Sequence, residues 1–265
     1  MAAQALVVFG ITGRMGQSLI RALRDDPRFQ LCGAVASAAS SRLGLDAAAE
    51  GQPCGVTITA DPVAALREGC VAMDFSLGDA VAAHARACAT AGVPILVGTT
   101  GLDAEARAAL ESAAASIPVL IAPNTSVGVA VLSKLAAEAT VSLGSSYDVE
   151  ISEAHHRTKR DAPSGTALRL GELIAAERGQ RLSDIAAIEL SGNIPRPPGS
   201  IGFSVLRAAD IVGEHTVTFA AAGERLELTH RATDRITFAQ GALRAAAWLV
   251  GRPAGLYGMR DVLGL

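Results

Sequence analysis

A short apolar run, Ala5–Phe9, breaks directly into Gly10-Ile11-Thr12-Gly13-Arg14-Met15-Gly16, after which Leu19, Ile20 and Leu23 recur at helical spacing as far as Pro27. A second apolar run, Phe29–Val35, follows at once. The pattern predicts a strand, a glycine loop, a helix to about Asp26 and another strand. This unit constrains the fold more than any other stretch, because two strands joined through a helix of this length must lie parallel. The glycines are spaced GxxGxxG, not the strict GxGxxG, but the physical need is the same. Backbone must come close to a pyrophosphate, and the first amides of the helix must point at it. A tight turn of purely structural purpose is the plainer alternative, and the strand-loop-helix-strand context favours dinucleotide binding over it.

The alternation continues. Val56–Thr59, Val71–Phe75, Pro94–Val97 and Val119–Ala122 read as strands, while Ala80–Ala91, a segment opened by Asp103, and Val129–Leu143 read as helices. Alternating strands and helices imply a doubly wound parallel sheet, whose ligands gather at the carboxyl ends of the strands. Small and polar residues fall repeatedly at that edge: Gly10, Ser37, Ser76, Gly98-Thr99-Thr100 and Asn124-Thr125. Any one of these is an ordinary loop; five on one rim make a nucleotide crevice the better reading. After the second strand an acid would accept from a ribose 2′-hydroxyl, whereas Ser37 with Arg14 and Arg42 as partners suits a 2′-phosphate. The expected cofactor is NADPH, NADH or both, with a lean to NADPH.

From about residue 127 the character changes. Tyr147–Ser152 alternates as a strand, and Ala167, Leu170, Leu173 and Ile174 mark a helix. Between them lies Glu153-Ala-His155-His156-Arg157-Thr158-Lys159-Arg160-Asp161-Ala-Pro163-Ser164-Gly165-Thr166. Pro163-Ser164 is a helix-start signal. Ser164, Gly165 and Thr166 offer backbone N–H groups and two hydroxyls at a helix N-terminus, facing cationic side chains, which suits carboxylates or phosphate. Taken alone, such a charge run is more often a solvated face. A Pro/Gly-rich segment, Gly192–Gly199, precedes strand-like runs at Ile201–Arg207, His215–Ala221 and Arg225–Arg231, the last two joined by a hairpin signal at Ala222-Gly223-Glu224. The second half is thus expected to be α+β with an open mixed or antiparallel sheet whose uncovered face favours self-association. An apolar helix, Ile236–Val250, is expected to return to the first domain. The expected division is residues 1–126 with 236–265 for the nucleotide, and 127–235 for substrate and oligomerisation.

Composition excludes several classes. A net charge of -3 and a pI near 6.0 argue against nucleic-acid or membrane-surface partners. No unbroken apolar run approaches the ~18 residues that span a bilayer. The N-terminus has no basic region ahead of its apolar run and does not read as a signal peptide. Cys32, Cys54, Cys70 and Cys88 have neither disulfide nor metal-ligand spacing and read as cytoplasmic thiols. The adjacent histidines lack a spaced partner, so no metal is expected.

With both halves in view, the chain resembles the 4-hydroxy-tetrahydrodipicolinate reductase (dihydrodipicolinate reductase) family over nearly its full length. The marks are Gly10–Gly16, Val97-Gly-Thr-Thr-Gly101, Ala122-Pro123-Asn124-Thr125-Ser-Val-Gly128, Glu153–Ala167, and Gly199–Phe203 with Asp210–His215. The resemblance implies a Rossmann-like domain, a second domain that binds substrate and builds a homotetramer, and reduction of a cyclic, imine-like dicarboxylate. It implies His155 as catalytic histidine and Lys159 as proton donor. His156, Lys159, Ser164, Gly165 and Thr166 would contact the substrate carboxylates, with Arg235 nearby. Gly10 to Gly16, Ser37, Arg42, Gly98 to Thr100 and Ala122 to Thr125 would hold the cofactor. Ser37 departs from members with an acid there. Glu153 and Asp161 are expected to orient the cluster. Rival readings are another two-domain dehydrogenase, which would need a cysteine nucleophile or carbonyl-binding lysine elsewhere, and a non-catalytic nucleotide sensor.

Overall fold

The computed structural model describes residues 2–187 and 195–265. In chain order the elements are β1 (Gln4–Phe9), α1 (Arg14–Leu23), β2 (Phe29–Val35), β3 (Ile58–Thr59), α2 (Pro62–Ala65), β4 (Val71–Asp74), α3 (Val81–Ala91), β5 (Ile95–Val97), α4 (Ala104–Ala113), β6 (Pro118–Ile121) and α5 (Val127–Leu143). There follow β7 (Asp148–His155), α6 (Gly165–Glu177), α7 (Leu182–Ile185), β8 (Ala186–Ala187), β9 (Ile201–Arg207), β10 (Gly213–Ala221), β11 (Glu224–Ala232), α8 (Ile236–Leu249), β12 (Gly255–Tyr257) and α9 (Met259–Leu263). Of the segment Gly192–Gly199, residues 192–194 lie outside the described residues.

The chain divides into two compact units, 1–127 with 235–265, and 128–234. The first holds a seven-stranded sheet in the order β12-β6-β5-β4-β1-β2-β3, with every strand pair parallel. The order reverses at β1, so the carboxyl ends of β1 and β4 flank the switch point of a doubly wound, Rossmann-like fold. Its strands read as continuous apolar runs because they are covered on both faces. Val7, Phe9, Ala72, Ile95, Val97 and Val119 share one core with Ala85 and Cys88 of α3 and Leu110 of α4. Asp103 caps α4 by accepting the Ala106 N–H at 2.8 Å, which satisfies one of the orphan amides at a helix start.

Three expectations need correcting here. The helix after the glycine loop ends at Leu23, not Asp26, since residues 24 and 25 turn ahead of Pro27. Only Ile58 and Thr59 of the run beginning at Val56 pair in the sheet. The strand β12, beside β6, was not expected at all: three residues with two glycines nearby carry no alternation to read.

The second unit has a five-stranded mixed sheet, β11-β10-β7-β9-β8. β7, β10 and β11 are mutually antiparallel along the row, but β9 runs parallel to β7. The reason is the connection: α6 and α7 intervene between β7 and β9, and a crossover of that length returns the chain in the same direction. Ala222-Gly223 makes the two-residue hairpin turn, Gly223 at φ +92°, a region open to glycine at no steric cost. Val149, Ile151, Ile201, Phe203, Val217 and Phe219 point from one face of the sheet to Leu132 and Ala136 of α5 and to Ala167, Leu170 and Ile174 of α6. Each such large side chain, fully buried, stabilises the fold by about 1.5–3 kcal/mol.

One helical stretch, Val127–Ser146, is long and apolar enough to cross a membrane by length and composition, with mean hydropathy 1.4. Lys134 and Glu138 break its apolar run, and they pair at 3.8 Å on one face while Leu132 and Ala136 enter the core. Its other faces leave Val131, Leu135 and Val141 exposed.

Candidate active site

The basic loop connects β7 to α6 within the second unit. β7 alternates, so Val149, Ile151 and Glu153 face one way and Glu153 ends inside, 3% exposed. A lone carboxylate there would be costly. Here it has four donors: both Arg207 terminal nitrogens, at 2.7 and 2.8 Å, the Ser164 N–H at 3.0 Å and His155 Nδ1 at 2.5 Å. The Arg207 fork is bidentate, the strongest arrangement of such a pair. Burial alone would raise the Glu153 pKa, but the bonds from Arg207, then His155 and the Ser164 N–H, outweigh it and hold the carboxyl below its usual range.

A carboxylate can only accept, so His155 donates through Nδ1 and presents Nε2. A Cβ at Gly213 would lie 3.1 Å from that nitrogen, so glycine at the start of β10 keeps it clear. Burial pushes the His155 pKa down; Glu153 pulls it back, and the charges of Lys159 and Arg207 push with burial, leaving it below the ordinary value. His215 of β10 meets the His155 ring edge-on, centroids 5.2 Å apart, and its Nε2 lies 3.2 Å from Ser164 Oγ. Among the described residues its buried Nδ1 has no hydrogen-bond partner.

Lys159 pairs with Asp161 at 2.8 Å, and Arg207 also donates to the Asp161 carbonyl at 2.7 Å, tying the loop to β9. His156 Nδ1 lies 2.8 Å from the Thr158 hydroxyl. Ser164 is the N-cap of α6, its Oγ accepting the Ala167 N–H at 3.2 Å. Gly165 is exposed and Thr166 half-buried at the first turn. Thus His155, His156, Lys159, Ser164, Gly165 and Thr166 share one loop and helix start. Arg235 is the N-cap of α8 and belongs to the other unit. Arg207 and His215 were not singled out from the sequence. They lie on strands some 50 residues downstream, and only strand register brings Arg207 opposite His155.

In the first unit the three loop glycines serve different ends. Gly10 sits at φ +78°, and a Cβ there would lie 2.4 Å from the Phe75 carbonyl oxygen. A Cβ on Gly16 would lie 2.3 Å from the Ile11 carbonyl oxygen, so the helix starts pressed against its own loop. Gly13 is exposed, and at the N-cap of α1 it provides no side-chain cap. Bare backbone with uncapped helix amides fits a dinucleotide pyrophosphate. Ile11 is buried, Thr12 and Met15 are half-buried, and Arg14 is exposed. Ser37 is exposed, and its hydroxyl accepts the Ala39 N–H at 3.3 Å. Arg42 uses one nitrogen to clamp the Asp46 and Ala48 carbonyls at 2.7 and 2.9 Å. Gly98 is buried beneath the Phe75 ring, Thr99 is buried with its hydroxyl turned to Asp74, and Thr100 is exposed. Ala122 is buried, Pro123 exposed and Asn124 half-buried, while the Thr125 hydroxyl donates inward to the Phe238 carbonyl at 2.7 Å.

Known proteins match both halves. The family described as dihydrodipicolinate reductase, N-terminus, matches residues 4–125, and dihydrodipicolinate reductase, C-terminus, matches residues 128–263. A 4-hydroxy-tetrahydrodipicolinate reductase of Anaeromyxobacter dehalogenans (strain 2CP-1) is 49% identical over 263 residues, 98% of this chain and 97% of that one. One from Thiobacillus denitrificans is 50% identical over 262 residues, 98% of each. Among solved structures, dipicolinate-bound dihydrodipicolinate reductase from Paenisporosarcina sp. TG-14 has the same fold, with TM-score 0.74 at 21% identity over 98% of this chain and 99% of that one. With half the residues shared from end to end, and the loop of Glu153, His155 and Lys159 assembled as described, the chain belongs to the dihydrodipicolinate reductase family.

Proposed function

We propose that the protein is an NAD(P)H-dependent 4-hydroxy-tetrahydrodipicolinate reductase, converting that compound to tetrahydrodipicolinate with loss of water in lysine and diaminopimelate biosynthesis. The observation that carries this reading is a histidine oriented by a buried, arginine-clamped carboxylate, in the same loop as Lys159 and next to the opening of α6. The cofactor, when bound, supplies a hydride. Hydride addition to a conjugated imine leaves a negative charge on nitrogen or carbon that must be protonated. His155 Nε2 and the Lys159 ammonium are the groups that provide that proton. Glu153 fixes the His155 tautomer, which is the orienting role of a triad acid. Two substrate carboxylates are held by Lys159, His156, the Ser164 and Thr166 hydroxyls and the first amides of α6. Gly13, with Arg14, Met15 and the rim residues after β2, β5 and β6, receives the cofactor. Exposed Ser37 and Arg14 favour the 2′-phosphate of NADPH over NADH. The working form is a cytoplasmic homotetramer built through the open sheet of the second unit.

The test follows NADPH and NADH oxidation with the cyclic substrate, using 2,6-pyridinedicarboxylate as a planar competitor. His155→Ala and Lys159→Ala should each lower turnover about a hundredfold or more, with cofactor affinity unchanged. Unchanged turnover in both purified variants would remove them from the chemistry. A wild-type protein that binds nucleotide yet oxidises none with this substrate would make it a sensor instead.

A further inference from the structure

The first unit contains a second acid–imidazole pair, far in sequence from the basic loop. β4 ends at Asp74, which is 0% exposed. Its Oδ1 accepts from the Ser76 N–H at 2.9 Å, the Ser76 hydroxyl at 2.6 Å and the Thr99 hydroxyl at 2.9 Å. Its Oδ2 accepts from His84 Nδ1 of α3 at 2.7 Å, and its backbone carbonyl accepts the Gly98 N–H at 2.8 Å. His84, 8% exposed, stacks on the ring of Phe9 with centroids 4.3 Å apart and planes 19° apart. Phe9 is the last residue of β1, directly before Gly10, and its carbonyl accepts the Phe75 N–H at 3.0 Å. The Phe75 ring in turn lies over Gly98. One buried carboxylate therefore gathers the chain where it leaves β1, β4 and β5.

A core strand position flanked by Val71, Ala72 and Met73 has no need of an acid for packing. A buried carboxylate with partners is often no more stabilising than an apolar residue of its size. What an apolar residue cannot do is pull the Ser76 and Thr99 side chains inward and leave the backbone of those loops facing the rim. The rim matters by topology. β2 lies on one side of β1 and carries the end where an adenosine ribose is read; β4 and β5 lie on the other. Their loops border the nicotinamide half of a dinucleotide laid across the switch point.

We propose that Asp74 and His84 are positioning residues for the cofactor, holding the Ser76 and Gly98–Thr100 loops in the shape that receives its nicotinamide half. The inference rests on the dinucleotide reading above and adds the groups that preorganise that part of the site. Thr99 then acts through its backbone, its hydroxyl being committed to Asp74. His84 keeps Asp74 from turning by donating to its second oxygen.

The test measures NADPH affinity by fluorescence titration, and kcat and both KM values, for the whole chain carrying Asp74→Asn, His84→Leu and His84→Asn. An amide in place of the carboxylate must point N–H toward donors, and Leu leaves Oδ2 unpaired. Loss of such a buried bond should weaken NADPH binding roughly tenfold. The KM for the cyclic substrate at saturating NADPH should stay within about twofold, and His84→Asn, which can still donate to Asp74, should recover most of the affinity. A merely structural pair would lower the melting temperature and the active fraction, but leave the cofactor KM of the folded enzyme unchanged. If Asp74→Asn does not fold, Ser76→Ala and Thr99→Val test the same bonds singly. Wild-type NADPH affinity in the folded variants overturns the proposal. A wild-type protein that binds neither NADPH nor NADH overturns the dinucleotide reading itself, and the two failures are told apart by that control.

Discussion

His155 is held between opposing influences, and Glu153 is the one that raises its proton affinity. Burial, Lys159 and Arg207 depress the proton affinity of the imidazole, while Glu153 raises it. A proton donor is active only while protonated, so activity falls as pH rises through its pKa. In Glu153→Gln the raising influence is gone and the Nδ1–H must compete for a weaker acceptor. The descending limb of the kcat/KM profile should move to lower pH than in the wild type, and kcat should drop about ten- to hundredfold. Stopped-flow assays across pH 5 to 9 at saturating cofactor would show it. A limb left in place would mean that His155 is not the group whose ionisation sets it. Glu153 was expected to orient the cluster, but from a loop beginning after Ser152; the structure carries β7 on to His155, and alternation there puts Glu153 and His155 on one face of the strand. Arg207, which makes a buried Glu153 tolerable, was not, since nothing in its neighbours marks it.

At the level of elements, the local grammar read well and the long-range pairing did not. The β1–α1–β2 unit, the start of α4 at Asp103 and the start of α6 at Ser164 were all visible, because a cap and a glycine act on their own neighbours. The direction of β9 was not, because alternation looks the same in parallel and antiparallel strands. Nor was the partnership of His215 with Ser164, which depends on β10 lying against β7. Ser164 bears the most at the junction of these elements: its N–H binds Glu153, its oxygen caps α6, and His215 reaches the same oxygen. Ser164→Ala keeps the first contact and loses the other two. It should cost about 1 kcal/mol of stability through the missing cap. It should also weaken 2,6-pyridinedicarboxylate binding several-fold, through a lost hydroxyl donor. Urea denaturation and calorimetric titration would check the two effects separately. Reduced stability with unchanged ligand affinity would confine Ser164 to capping.

For the molecule as a whole, the buried histidines link the second unit's stability to pH. Burial pushes the His215 pKa down to about 4, with the nearby His155 adding to the effect and Glu153 opposing it; burial also lowers His230 on the neighbouring strand. The sign follows from which state binds the proton. Between the unfolded value near 6.5 and the folded value of about 4, the unfolded chain takes up a proton that the native imidazole refuses. Stability is therefore complete above pH 6.5 and declines as pH falls through that window, by about 3 kcal/mol for a shift of this size. Glu153 and Asp161, both held below their usual range, contribute stability in the same sense, but theirs is lost at lower pH, as carboxylates protonate. The two sources separate in His215→Gln, which keeps a hydrogen-bonding side chain but cannot take up the proton. Its unfolding free energy should fall less steeply than the wild type's from pH 6.5 to 5, the remaining slope coming from His155 and His230, and the two curves should run parallel below pH 4. Equal slopes for variant and wild type between pH 6.5 and 5 would mean that His215 is as easily protonated in the folded chain as in the unfolded one, and that the decline there belongs to His155 and His230.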